Sequence, residues 1–156
     1  MTLKLPPGLP ALTGAARADA AGLCEALMRA GLRAELGACG PDAFDCWSMA
    51  RLIETHLFGR AMAEVDATAA PLKGMAARAM QAAGQWRERG SMERPGHGDG
   101  VLLTTPAARP HVGVFLDLDR GVVAHMDEHR GFSIESLPAL KIQGYRSPRF
   151  FVWRES

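Results

Sequence analysis

The sequence predicts an α+β domain in which N-terminal helices pack on a small antiparallel β-sheet. Apolar residues recur at helical spacing in the first third of the chain, and short apolar runs separated by turn residues follow in the last third. The chain has 156 residues, of which 47% are apolar and 22% are charged, a balance typical of one globular domain with a sizeable core.

Residues 1–11 are predicted to form a Pro-rich arm, with prolines at positions 6, 7 and 10. A single Lys and the lack of a long apolar run are not typical of a secretory signal. No stretch reaches the roughly 18 consecutive apolar residues that span a bilayer. We therefore expect residues 12–156 to form one domain, made in the cytoplasm without a signal peptide and without a membrane span.

Two helices are predicted before residue 60. The first covers residues 13–31, with Thr13 as its candidate cap and Gly31 at its end. The second covers residues 45–58, with Asp42 or Asp45 as its cap and Gly59 just past its end. The second helix carries an apolar stripe at i, i+4, i+7 and i+11, made of Cys46, Ala50, Ile53 and Leu57.

Residues 60–94 are expected to form a helical insertion or a docking segment. Residues 61–90 are rich in Ala and Met, which favours helix, with breaks at Pro71 and Gly74. Methionines at this density are typical either of a hydrophobic core or of a face that binds a partner.

The last third of the chain predicts short antiparallel strands. The turn residues that separate them include Arg109-Pro110 and Asp119-Arg120-Gly121. The candidate strands are residues 101–103, 111–116, 121–125, 132–134 and 149–153.

Charge and cysteine content exclude several classes of function. The formal net charge is +1, so neither nucleic acid nor an anionic membrane is required as a partner. Cys24, Cys39 and Cys46 are odd in number and lack CxxC spacing, which predicts free thiols rather than a disulfide framework or a zinc site. No G-x-S-x-G motif or Gly-rich phosphate loop occurs. We expect no cofactor and no metal.

Cys46 falls in the first turn of the second predicted helix. Unpaired backbone N–H groups and the helix dipole favour a thiolate at that position. A thiolate with an imidazole nearby is an effective nucleophile. The competing interpretation is a buried structural cysteine, which is common in protein cores.

Two of the five histidines lie at the ends of predicted strands. His111 begins one strand and His125 ends the next, so an antiparallel hairpin would place both rings at the same end of the sheet. This is the arrangement that a general base and its orienting partner need. The competing interpretation is two polar strand ends that face water. His56, near the end of the second helix, is interpreted as structural.

Four short motifs together resemble the NlpC-type cell-wall peptidases, a papain-like family. The resemblance covers about residues 32–153, with the extra length between the cysteine and the histidine falling in residues 60–94. In chain order the motifs are Phe44-Asp45-Cys46-Trp47, Gly98-Asp99, His111-Val112-Gly113-Val114-Phe115 and Val122-Val123-Ala124-His125.

The resemblance implies a papain-like fold, with Cys46 as nucleophile, His111 as general base and His125 as the residue that orients it. It further implies an oxyanion site at the Cys46 backbone N–H, and it makes Asp99 a structural residue. We expect Asp45, Trp47 and Ser48 to line the substrate site. The implied substrate is the peptide stem of peptidoglycan, cut between D-Glu and diaminopimelate.

The chain departs from the family pattern at three positions. Ala34 stands where members often carry a Tyr, Ser48 replaces a Gly two residues after the cysteine, and Ala38 replaces the second residue of a Gly-Gly pair. These departures affect the expected oxyanion geometry and substrate preference more than the nucleophile.

A bare N-terminus and the Asp-Cys-Trp variant resemble peptidases carried on phage tails or phage-like particles. Such an enzyme opens the wall for DNA entry while docked to tail-tip or baseplate proteins, and the Pro-rich arm or residues 61–90 are candidate docking surfaces. The alternatives are an injected amidase effector of an interbacterial secretion system and a non-catalytic tail protein that keeps the fold. A third alternative is a zinc hydrolase, since His125 to His129 match H-x-x-E-H.

Overall fold

The computed structural model describes residues 2–10, 17–63 and 85–154. The predicted cap Thr13 and most of the predicted helical segment 61–90, including Pro71 and Gly74, lie outside these ranges. The described helices are α1 (Arg17–Arg29), α2 (Cys46–Phe58) and α3 (Leu137–Ile142). The described strands are β1 (Arg33–Ala34), β2 (Ala43–Phe44), β3 (Trp86–Glu88), β4 (Gly100–Thr104), β5 (Pro110–Leu116), β6 (Val122–Asp127), β7 (Gly131–Glu135) and β8 (Arg146–Trp153).

Within the described ranges, six strands form one antiparallel sheet in the order β3-β8-β4-β5-β6-β7. Strands β4 to β7 follow one another as a meander, and β8 returns to pair with β4 at its free edge. The short strands β1 and β2 pair in parallel just before α2. The predicted α+β class with an antiparallel sheet is therefore confirmed.

Helix α2 begins and ends where the sequence places its caps. Asp45 has an extended backbone, and its carboxylate accepts a hydrogen bond from the Ser48 N–H, which satisfies one of the free donors of the first turn. Of the two predicted caps, Asp45 is the one used. Gly59 closes the helix with a left-handed φ of 66°, a conformation that glycine adopts without a Cβ clash.

The prediction of helix through residue 90 is wrong at its C-terminal end. Trp86–Glu88 is strand β3, which pairs with the last residues of β8, and residues 60–63 have no regular structure. Pairing with a neighbouring strand provides backbone hydrogen bonds that the composition of this segment does not reveal.

The sheet separates two hydrophobic clusters, because alternate residues of each strand point to opposite faces. Val112, Val114 and Leu116 of β5 pack on one face with α1 and α2. Phe115 lies on the other face, where it packs with Leu140 of α3. Helix α2 is therefore fixed on the sheet through β5 and β6.

The described part of the N-terminal arm packs on its own domain. The Lys4 N–H donates to the Cys39 carbonyl at 2.8 Å, and Pro6 is buried. At its other end, the Pro10 carbonyl lies 3.1 Å from Nε2 of His56 on α2. His56 therefore has a structural contact, as the sequence predicted.

Glu54 of α2 is fully buried, and neither carboxylate oxygen has a hydrogen-bond partner. Arg60 is the nearest cation, with a nitrogen 3.6 Å from Oε2, too far for a hydrogen bond. Burial, which Arg60 only partly offsets, raises the pKa of Glu54 well above its ordinary value. Burial therefore favours the neutral form of this side chain.

No helix in the described ranges is long and apolar enough to cross a membrane.

Candidate active site

The loop before α2 is fixed by Asp45, which places Cys46 at the first helical position. One carboxylate oxygen of Asp45 accepts from the Ser48 N–H at 2.7 Å, and the other accepts from the Gly37 N–H at 3.2 Å. The Asp45 backbone N–H donates to the Ala38 carbonyl at 2.9 Å. Asp45 thus joins the loop to the helix and orients the residue that follows it.

Backbone amides surround the Cys46 sulfur, but burial outweighs them. Burial raises the pKa of the thiol to about 11, with a smaller upward contribution from Asp45. Hydrogen bonding to the backbone of Val112, Trp47 and Cys46 itself lowers the pKa and opposes this rise. The resting thiol is therefore protonated at neutral pH, and the stabilised thiolate expected from helix position alone is not the resting form.

The β5–β6 ladder ends before Val112, whose backbone contacts the Cys46 sulfur. This ladder covers only Val114↔Ala124, Phe115↔Val123 and Leu116↔Val122. Residues 110–113 of β5 keep their pairing with β4 alone. The backbone of Val112, next to His111, thus contacts the Cys46 sulfur at a point where the β5 ladder continues with β4 alone.

His111 and His125 form a buried, hydrogen-bonded pair. Nε2 of His111 lies 2.8 Å from Nδ1 of His125, and the rings meet edge to face with centroids 5.0 Å apart. The side chains are 7% and 0% exposed, respectively. The prediction that the two rings are neighbours is confirmed, whereas the alternative of two rings facing water is wrong.

The pair is uncharged at neutral pH. Burial, together with repulsion from His125, lowers the pKa of His111 to about 3. Burial also lowers the pKa of His125, although Glu135 partly opposes the shift. Since Nε2 of His111 is engaged by His125, Nδ1 is the nitrogen left to take a proton from elsewhere.

Within the described residues, no hydrogen bond joins the Cys46 thiol to the His111 ring. The two are linked through the backbone, since Val112 contacts the sulfur and directly follows His111. Catalytic hydrogen bonds are often long or misaligned in a ligand-free enzyme and tighten when substrate binds. The arrangement brings a thiol, three amides and a buried imidazole pair to one place.

Four further side chains surround the histidine pair. Glu135 Oε2 lies 3.3 Å from Nε2 of His125, and Arg130 forms an ion pair with Glu135. The Tyr145 ring packs against both imidazoles, at 5.1 Å from His111 and 5.7 Å from His125. The Tyr145 hydroxyl donates to Asp127 at 2.9 Å.

Asp127 is held ionised by its hydrogen bonds. Burial alone would raise the pKa of Asp127, but donors from the His129 and Arg130 backbones and from the Tyr145 hydroxyl hold it at about 2. Burial, and then Asp127 itself, raises the pKa of Tyr145 above its ordinary value. The single Tyr of the chain packs on the imidazoles from the connection between α3 and β8, and Ala34 lies in β1.

The three residues predicted to bind substrate are buried, and the Trp47 indole, the Asp45 carboxylate and the Ser48 backbone N–H form hydrogen bonds within the protein. The Trp47 indole N–H donates to the Ala63 carbonyl at 2.7 Å. Asp45 and Ser48 bond to each other across the helix start. Their contacts shape the first turn of α2, and substrate binding by them stays a prediction.

Asp99 has the contacts of a structural residue. Its carboxylate accepts from Arg89 at 2.6 and 3.0 Å and from the Gly96 N–H at 2.8 Å. The carboxylate thereby fixes the turn that leads into β4.

The H-x-x-E-H pattern does not place two imidazoles on a helix. His125 lies on strand β6, and His129 lies in the following turn with a side chain that is 83% exposed. The described ranges contain no cluster of three His, Cys, Asp or Glu residues suited to a metal ion. The helical zinc site that this pattern suggests is therefore absent from this part of the chain.

Glu135, Asp127 and Tyr145 were not predicted from the sequence as site residues. A signal for Glu135 exists: the tight turn after Asp127 sets the register Asp127↔Gly131, Val123↔Glu135 of the β6–β7 hairpin. In that register Glu135 falls on the same face as His125. Tyr145 gives no comparable signal, because it reaches the site through the return of β8.

No protein-family model matches the chain, and no curated protein is significantly similar to it.

Proposed function

We propose that the chain is a papain-like cysteine peptidase or amidase that cleaves the peptide stems of peptidoglycan. The observation that carries this proposal is the meeting of Cys46, at the start of a helix, with the strand that bears the buried His111–His125 pair. This is the composition of a nucleophile, a base and an orienting residue. The substrate in this proposal comes from the resemblance of the motif order to that of the NlpC-type family.

The mechanism is acyl transfer from a neutral resting pair. The Cys46 sulfur attacks the carbonyl carbon while its proton passes to Nδ1 of His111. Backbone N–H groups near the sulfur, including that of Cys46, hold the oxyanion. The C–N bond then breaks, and the amine leaves with the proton from His111.

Water completes the cycle. It attacks the thioester while His111 takes a proton from it, and the C–S bond breaks. The product acid leaves, and the proton on His111 returns to the sulfur. His125 stays hydrogen-bonded to Nε2 of His111 throughout and stabilises the imidazolium that forms.

The proposed setting is a phage tail or a phage-like particle, where the enzyme opens the wall for DNA entry beside tail-tip or baseplate proteins. The resemblance supports this setting. Detection of the protein in purified particles would support it further, and its absence from them would favour an injected amidase effector.

A second candidate is a non-catalytic tail protein that keeps the fold. The raised pKa of Cys46 and the lack of a hydrogen bond between the thiol and His111 favour it. Because a protonated thiol is a weak nucleophile, this candidate predicts no turnover.

Digestion of purified peptidoglycan separates the two candidates. We expect wild type to release muropeptides that mass spectrometry identifies, and we expect Cys46→Ala to release none. The matched control is Cys39→Ala, another free and partly exposed cysteine, which should digest like wild type. EDTA should have no effect, whereas cleavage that survives Cys46→Ala and stops with EDTA would exclude the thiol mechanism.

A further inference from the structure

Glu135 stands at the end of a hydrogen-bonded chain that begins at His111. It is the last residue of β7, and its side chain is 9% exposed. One carboxylate oxygen lies 3.3 Å from Nε2 of His125, and the other pairs with Arg130. Nδ1 of the same His125 ring lies 2.8 Å from Nε2 of His111.

The direction of each hydrogen bond follows from counting protons. A carboxylate only accepts, so Nε2 of His125 must carry the proton that it shares with Glu135. A neutral imidazole carries one N–H, which leaves Nδ1 of His125 as an acceptor. Nε2 of His111 must then be the donor, so Nδ1 of His111 is bare.

We propose that Glu135 is a positioning residue that fixes the tautomers of both histidines and so keeps Nδ1 of His111 free to accept a proton. The proposal extends the proposed function, since it assigns the form in which the base is held before substrate arrives. Glu135 touches no reacting atom and acts through His125.

The other nearby carboxylate, Asp127, accepts its hydrogen bonds from groups other than the two imidazoles. Its Oδ1 accepts from the His129 and Arg130 N–H groups at 2.8 and 2.9 Å, and its Oδ2 accepts from the Tyr145 hydroxyl. Glu135 is therefore the acid whose hydrogen bond sets the histidine tautomers.

Arg130 supports this role by its charge. Its guanidinium pairs with Glu135 on the side away from His125. A carboxylate in an ion pair with Arg130 has no proton to donate, so it can only accept from His125. A neutral amide at the same position has no such preference, because it can present either its oxygen or its NH₂ group to His125.

In Glu135→Gln the tautomers of His125 and His111 should therefore no longer be fixed. When the amide donates to Nε2 of His125, Nδ1 of His125 becomes the donor to His111. The proton of His111 then moves to Nδ1, where it blocks the base. The matched control is Glu128→Gln, an exposed glutamate in the turn before β7 that pairs with the exposed His129.

Long-range ¹H–¹⁵N NMR of histidine-labelled protein tests the proposal without any substrate. The spectra distinguish the two neutral tautomers of each ring, and single His→Gln variants assign them. In wild type at pH 7 we expect both His111 and His125 to be protonated on Nε2. We expect Glu135→Gln to move His111 toward Nδ1–H and Glu128→Gln to leave both rings unchanged.

Two results would overturn the proposal. One is the finding that His111 is already protonated on Nδ1 in wild type. This measurement does not depend on the folding of any variant. The other is a folded Glu135→Gln protein whose tautomers match wild type. Because neither readout uses peptidoglycan, an inactive protein with the expected tautomers would refute the proposed function and leave this inference standing.

If the protein is active, the same variant gives a second readout. Glu135→Gln should lower kcat by about tenfold or more, as expected when the base is held in the wrong tautomer, with little change in KM. An unchanged kcat together with shifted tautomers would also count against the positioning role.

Discussion

The His111–His125 pair is neutral because its surroundings disfavour charge on either ring. Burial removes water from both imidazoles, and a proton on one repels a proton on the other. The proposed mechanism therefore does not start from a thiolate–imidazolium pair. The thiolate and the imidazolium form only when the thiol proton moves to His111. His125 and Glu135 are placed to stabilise the imidazolium.

Neutral buried histidines make the stability of the fold depend on pH. Between the ordinary histidine pKa of 6.5 and the folded pKa of His111 of about 3, the unfolded chain binds more protons than the folded one. The stability from these rings is therefore complete above pH 6.5 and is lost as the pH falls toward 3. We expect wild type to lose about 2–3 kcal/mol from this source by pH 4, measured by urea unfolding at pH 7 and pH 4.

A pair of variants isolates this effect. His111→Gln should flatten the pH dependence, whatever its stability at pH 7, because one titrating ring is gone. His129→Gln should follow wild type, since His129 is 83% exposed and lies outside the buried pair. If His111→Gln lost as much stability as wild type on acidification, the claim that His111 is neutral in the folded protein would be wrong.

Residues where an apolar sequence pattern starts or stops were predictable, although β6 continues past His125 to Asp127, and residues that join the site by packing were not. Cys46, His111 and His125 stand where an apolar pattern starts or stops, so the sequence alone singled them out. Glu135 required the register of a hairpin, and Tyr145 required the path of β8 back to the sheet. A single sequence carries little information on either.

Strand β5 depends on a glycine where it approaches β6. A Cβ built on Gly113 would lie 2.6 Å from a Val123 methyl group and 2.9 Å from the Ala124 carbonyl oxygen. We expect Gly113→Ala to destabilise the fold by about 2 kcal/mol or more, since the neighbouring backbone must shift. Because Gly113 lies two residues from His111, activity should fall as well.

Gly22→Ala is the matched control for this substitution. Gly22 lies within α1, and a Cβ there would meet no atom within 4 Å. The change should stabilise the protein by about 0.5–1 kcal/mol, because alanine loses less backbone freedom on folding. Thermal unfolding of both variants measures the contrast, and equal effects would show that β5 and β6 have room to adjust.

The elements that the sequence predicted correctly share clear boundaries. Strands β4 to β6 are apolar runs between turn residues, and α2 has both a carboxylate cap and a closing glycine. Strand β3 lacks such signals. It is three residues long and is held by its pairing with β8 and by the Trp86 indole N–H, which donates to the Ala61 carbonyl.

The candidate site belongs to the whole domain rather than to any one motif. Cys46 comes from a helix near the start of the chain, and the histidine pair comes from a sheet formed near its end. The Cys46 sulfur contacts the backbone of Val112, next to His111, because α2 packs on β5 and β6. The order of elements predicted an α+β domain, but the contact between these two ends depends on packing across the core.

Differential alkylation of the cysteines by iodoacetamide tests whether Cys46 and His111 work as a pair. The chain provides its own references: Cys24 is buried with a pKa raised by burial to about 12, and Cys39 is partly exposed. Peptide mass spectrometry at pH 7 gives the labelling rate of each thiol in wild type, His111→Gln and the control His129→Gln.

We expect Cys46 to be labelled faster than Cys39 in wild type, because His111 accepts the thiol proton during attack. His111→Gln should slow the labelling of Cys46 by about tenfold or more, whereas His129→Gln should not change it. If Cys46 instead reacted as slowly as Cys24 and at the same rate in all three proteins, it would be a buried structural thiol, and the proposed nucleophile would be wrong.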